Sequence, residues 1–91
     1  MEAGMFDALK QKLTESIPSF PHVYMFKFIV KADNKTIALV EVLFEDDADI
    51  TQKESTKGNY ISITAKQVVM SVDEIIGIYE QAAKIEGVMT L

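Results

Sequence analysis

"HVYMFKFIV", His22 to Val30, is the stretch on which the fold turns. It is β-branched and aromatic, and Lys27 is its one full charge. A run of this kind, free of Gly and Pro, reads as a central strand. Successive side chains of a strand point to opposite faces. Tyr24, Phe26, Phe28 and Val30 fall on one face, and Val23, Met25, Lys27 and Ile29 on the other. Both sets are largely apolar. One set belongs to a core, and the other needs a cover of its own.

The flanks supply the rest of the order. Upstream, Phe6, Leu9 and Leu13 recur at helical spacing, with Met5 and Ile17 nearby, so the first seventeen residues read as a helix. Pro18 and Pro21 in "IPSFPH" end it and lead into extended chain. Downstream, "ADNKTIALVEVLFE" places Ile37, Val40, Leu43 and Phe44 on one helical face, with Asp33 as N-cap. "ADITQKEST" alternates weakly, and Lys53 and Glu54 suit a charged edge strand. "NYISITAKQVVM" is a long strand with Ile61, Ile63 and Ala65 on one face and Ser62, Thr64 and Lys66 on the other. Gln67 stands where an apolar residue is expected. It requires a hydrogen-bond partner in the core or a bulge that turns it outward.

"SVDE", Ser71 to Glu74, is a capping box. The serine hydroxyl accepts from the Glu74 N–H, and the glutamate reaches back to the serine N–H. The helix that follows runs to about Glu86, with Ile75, Ile76, Tyr79, Ala82 and Ala83 on its buried side, and Gly87 ends it. Tyr79 and the methionines sit at core-like spacing and read as packing. "VMTL" closes as a short strand.

After the first helix the order is β-α-β-β-α-β. This predicts an α+β, ferredoxin-like sandwich: a four-stranded antiparallel sheet with two helices on one face, strands one and three central. Residues 1–17 form an N-terminal helical extension, and residues 18–91 form a single domain. Two helices cover one sheet face only, so Met25 and Ile29 lie on the open one. The expected cover is the N-terminal helix, through Phe6, Leu9 and Leu13, or a second subunit of a homodimer.

Composition narrows the function classes. With 91 residues the chain suits one small domain, which buries roughly 60–65% of its unfolded surface without disulfides or metal. There is no cysteine, so disulfide, thiol and Cys-based metal chemistry are excluded. Net charge is −5, and all nine basic residues are lysine. That argues against nucleic acid and against an anionic membrane surface. No leader-like apolar run and no bilayer-length segment is present, so a cytoplasmic protein is expected.

Two segments resemble the YbeD-like family of uncharacterised bacterial proteins. One is Phe20-Pro21 leading into the first strand, with Lys27 at a matching place. The other is "STKGNYISI", Ser55 to Ile63, with the later "IYEQAAKIEGV". The resemblance covers about residues 20–91. It implies a ferredoxin-like domain similar to ACT regulatory domains, which bind small effectors and often dimerise. It carries over no catalytic residue. Val30 departs from the family, which tends to have a glycine after the first strand, where ACT domains bring backbone close to an amino-acid ligand.

Each candidate for chemistry has an ordinary structural reading beside it. "STKGNY" suits a hairpin turn with Gly58 or Asn59 at positive φ. Its functional reading is a ligand site, Ser55, Lys57, Gly58, Asn59 and Tyr60: Lys57 and the turn's backbone N–H groups meet an anion, supported by Ser55 and Tyr60. "EDDAD", Glu45 to Asp49, holds four carboxylates, yet lacks the spacing of a calcium loop and reads as a solvated turn. His22 is the only histidine and has no partner for acid–base work in the sequence. No phosphate loop, nucleophile elbow or zinc-protease motif is present. No metal and no cofactor are expected. The resemblance alone implies the leading expectation, a non-enzymatic, ACT-like regulatory module for a small effector or a protein partner. The alternatives are a pure protein-interaction module and a small enzyme built on Lys57 or His22 with the acidic cluster.

Overall fold

A computed structural model describes residues 6–90. The expected helical start before residue 6, Met5 on its face, and Leu91 lie outside the described residues. The elements are α1 (Asp7–Ser16), β1 (His22–Lys31), α2 (Asn34–Glu41), β2 (Asp49–Glu54), β3 (Tyr60–Val69), α3 (Val72–Ala83) and β4 (Val88–Thr90). The sheet order is β2-β3-β1-β4, and every pairing is antiparallel. The α+β order β-α-β-β-α-β after an N-terminal helix is present as read. The two longest and most apolar strands are central because both of their edges must be paired.

The register sets the two faces. β1 pairs with β3 from His22↔Val69 to Lys31↔Tyr60 without interruption. Phe26, Phe28 and Val30 therefore lie beside Ala65, Ile63 and Ile61 on the inner face. There they meet Val40 of α2, Ile75 and Tyr79 of α3, and Phe44. Phe26, Phe28, Phe44 and Tyr79 form an aromatic cluster, with the Phe26 and Tyr79 centroids 5.5 Å apart. Tyr24 joins it at the rim, where its hydroxyl lies 3.1 Å from that of Tyr79. Burial and this hydrogen bond push the Tyr79 phenol well above the ordinary tyrosine range.

Local signals explain the helix ends. Asp33 caps α2, accepting from the Lys35 N–H at 3.3 Å and the Thr36 hydroxyl at 3.0 Å. The α3 cap is Ser71, whose hydroxyl accepts from the Glu74 N–H at 3.1 Å. The reciprocal half differs from expectation. Glu74 accepts from the Met70 N–H at 3.2 Å, one residue earlier than Ser71. α3 also ends before Glu86, at Ala83. The Lys84 and Ile85 N–H groups donate to Gln81 and Ala82, three residues back, which tightens the chain out of the α-helix. Gly87 takes φ +86° in the turn to β4 and does not itself stop the helix. Ala83 is exposed, on the side of α3 away from the core.

α2 stops at Glu41, so Leu43 and Phe44 pack from the turn after it and not from the helix itself. The acidic run at Glu45–Asp49 therefore lies beyond the helix and meets no adverse dipole at its end. Gln67 finds a partner: its side-chain oxygen accepts from the Glu45 N–H at 2.8 Å. It is buried on the inner face, and β3 carries no bulge there.

Two packing expectations are corrected. α1 does not cover the open face. Leu13 and Ile17 are buried in the core, Phe6 stacks on Tyr79 at 6.0 Å, and Lys10 Nζ lies 2.9 Å from Asp73 Oδ1 on α3. That ion pair, first through its hydrogen bond, raises the Lys10 pKa. The apolar stripe of α1 matches the flank of α3 in the helix layer, so Phe6, Leu9 and Leu13 share no surface with Met25 and Ile29. The described methionines are not core either. Met25, Met70 and Met89 are each more than half exposed. Their places in the strand alternation, or just past its end, turn them outward.

Candidate functional site

The β2–β3 hairpin is closed by its own residues. Ser55 N–H donates to Tyr60 O at 2.9 Å, and Gly58 N–H donates to Ser55 O at 3.0 Å. The Ser55 hydroxyl accepts from the Tyr60 N–H at 3.2 Å. Gly58 supplies the left-handed residue at φ +74°, and Asn59 does not. The turn chemistry read from "STKGNY" is thus in place. It also occupies the N–H groups of Gly58 and Tyr60, two backbone donors of the turn that could otherwise meet an anion.

The hairpin stands beside the β1–α2 connection. Ala32 N–H donates to Asn59 O at 3.0 Å, and Lys31 is the strand partner of Tyr60. The hairpin and the chain that follows β1 are therefore neighbours. On the open face below them is a shallow depression of about 510 Å³, bordered by Ser55, Tyr60, Ser62, Lys53, Ile29 and Met89. Of the five hairpin residues proposed from sequence, Ser55 and Tyr60 border it. Lys57, Gly58 and Asn59 lie at the turn outside its lining.

Sequence reasoning missed Lys53, Ser62 and Met89 as neighbours of the site. Ser62 was readable, because it shares a face with Tyr60 in the alternation of β3. Lys53 and Met89 were not. Their places depend on the registers Lys53↔Ser62 and Ile29↔Met89, which no local signal specifies.

The other candidates are dispersed. His22 begins β1 and Lys31 ends it beside the hairpin. At about 3.3 Å per residue, His22 and the hairpin are roughly 30 Å apart. Direct cooperation of His22 with Lys57 is ruled out by that distance. Asp49 faces Lys66 in the register, toward the His22 end. Among the described residues no group of three or more His, Asp or Glu is placed to hold a metal ion. Among them, no helix is long and apolar enough to cross a membrane.

The open face itself is conspicuous. Val23, Met25, Val68 and Met89 are 59%, 52%, 54% and 52% exposed. Comparison with known proteins assigns the lineage. A family described as "Protein of unknown function (DUF493)" matches residues 15–91. The chain belongs to the DUF493 family. The match spans every strand of the sheet and both helices packed on it, while most of α1 precedes it.

Curated DUF493-like relatives agree. A UPF0250 protein of Shewanella halifaxensis (strain HAW-EB4) is 33% identical over 78 residues, covering 81% of this chain and 89% of the relative. A UPF0250 protein of Shewanella putrefaciens (strain CN-32) is 35% identical over the same shares. These are the YbeD-like proteins that "STKGNYISI" resembles. No solved structure gives a significant match.

Proposed function

We propose that this DUF493 protein is a non-enzymatic, ACT-like regulatory module that binds a small effector at the hairpin end of its sheet. The observation that carries the reading is the depression where Ser55 and Tyr60 meet Ile29 and Met89. It combines an apolar floor with hydroxyls, Lys53 and Glu54, the usual make-up of a small-molecule site. The neighbouring β1–α2 connection is tied to the hairpin by the hydrogen bond from the Ala32 N–H to the Asn59 carbonyl. The separation of His22 from Lys57 supports the non-enzymatic part. The lack of cysteine suits a reducing cytoplasm.

The test is an amide NMR titration of the labelled protein with pools of amino acids, nucleotides and organic acids. Saturable shifts at Ile29, Ser55, Tyr60 and Ser62 are expected from one pool. Flat spectra across all pools overturn the effector reading. A second reading is favoured by a separate observation, the exposed apolar side chains of the open face. On it the protein is an interaction module, and the sheet is its docking surface.

A further inference from the structure

The open face carries a charge that the chain as a whole does not. Strand alternation and register place Lys27 and Lys31 of β1, Lys66 of β3 and Lys53 of β2 on it. Asp49 is the one acidic side chain that alternation places on that face, while Glu54 borders it at the hairpin end. Four lysines against one aspartate give it +3, which leaves −8 on the remainder of a chain of net −5. All four lysines are exposed, and none is in an ion pair with a described residue. Between them lie Val23, Met25, Val68 and Met89, each more than half exposed. The face is thus both apolar and basic on an otherwise acidic molecule.

We propose that this face docks an acidic segment of another protein, one with Asp or Glu interspersed among aliphatic side chains. The proposal rests on the interaction-module reading and names its partner class. Charge complementarity selects the partner. Aliphatic side chains would cover Met25, Ile29 and Met89, while carboxylates meet Lys27, Lys66 and Lys53. A second copy of this chain does not suit the surface. Packing two such faces together would bring eight lysines and two aspartates into one layer, and unpaired buried charge is strongly unfavourable. Nucleic acid is disfavoured by the absence of arginine, by Tyr60 being the only aromatic on the face, and by the acidic remainder of the chain.

The experiment is a selection of random peptides displayed on phage against the immobilised full chain. Enriched peptides are then mapped by amide shifts and titrated against the wild type and the Lys27→Glu/Lys66→Glu variant. The expected result is enrichment in Asp and Glu, with shifts at Met25, Lys27, Thr64 and Lys66. Affinity should fall roughly tenfold or more in the variant and fall further with added salt. Lys27→Ala/Lys66→Ala serves as the milder variant should charge reversal disturb folding. Enrichment of neutral or basic peptides on this face overturns the partner chemistry and leaves the interface. The absence of any peptide that maps to the face overturns both. Tighter binding of a single-stranded oligonucleotide or an anionic vesicle to the same amides, or dilution-dependent shifts from self-association through them, also overturns it. The two surfaces share Ile29, Lys53 and Met89, and the effector reading is told apart by its probe, the metabolite pools, and by shifts at Ser55 and Tyr60.

Discussion

Single side chains settle several questions that the chain order poses. Gln67 is the clearest. A glutamine among inward-facing β3 residues looks like an error in the pattern. It accepts the Glu45 N–H just after α2 and so satisfies a backbone donor of that turn. The sequence showed that Gln67 needed a partner, but that partner lies twenty-two residues away and is invisible to local pattern. Tyr79 makes a second case. Its phenol is packed in the aromatic cluster and hydrogen-bonded to Tyr24, and both effects hold it neutral. Below about pH 10 the phenol is neutral in folded and unfolded chains alike. Above that value the unfolded chain ionises first, so stability is lost as pH rises toward the higher folded value. Tyr79→Phe should lower stability by about 1 kcal/mol at neutral pH through the lost hydrogen bond. It should also flatten the decline above pH 10. Urea unfolding of both proteins at pH 8 and pH 11 would check this, and parallel declines would refute it.

Elements follow their local signals at the start and tertiary contacts at the end. The N-caps Asp33 and Ser71 sit where the sequence puts them, because a short polar side chain before an apolar period has one effective use. Ser71→Ala should cost about 1 kcal/mol, with the loss read from the urea midpoint. A midpoint equal to wild type would mean that Glu74 alone holds the α3 start through Met70. The C-termini were less legible. Gly87 looked like the stop of α3, yet the chain leaves the helix three residues earlier, in a tightened turn that delivers Val88 to β1. The hairpin was legible down to two candidates for its left-handed residue, and the structure selects Gly58 over Asn59. What the sequence could not show is which donors the closed turn engages, the N–H groups of Gly58 and Tyr60.

At the scale of the whole molecule, the position of α1 changes the expectation for truncation. α1 completes the helix layer against α3 and contributes Leu13 to the core, and Ile17 just after it is also buried. Removing residues 1–17 should therefore lower stability by roughly 3–6 kcal/mol, the burial value of two aliphatic side chains. That is a large part of the stability of a domain of this size. The oligomeric state of the folded fraction should stay as it is, because the open face is as exposed before truncation as after. Thermal unfolding with sedimentation would check both statements. An unchanged melting temperature would contradict the packing, and a new oligomer would point to α1 as the cover of the sheet after all.

The sequence by itself determined the element order, the central place of β1 and β3, the N-cap residues and the hairpin turn. Each of these follows from periodicity, apolar content or a local backbone requirement, all of which act within a few residues. It also determined that β1 has two apolar faces. Only the tertiary structure decided which partner each face receives. α1 went to α3 because Phe6 and Leu13 found Tyr79 and the inner core there, a choice that depends on shape across more than sixty residues of chain. The same packing left the other face open and, through the strand registers, gathered lysines scattered from Lys27 to Lys66 onto it. Registers are set by long-range pairing, so neither the basic face nor the depression beside Tyr60 exists until the sheet has formed.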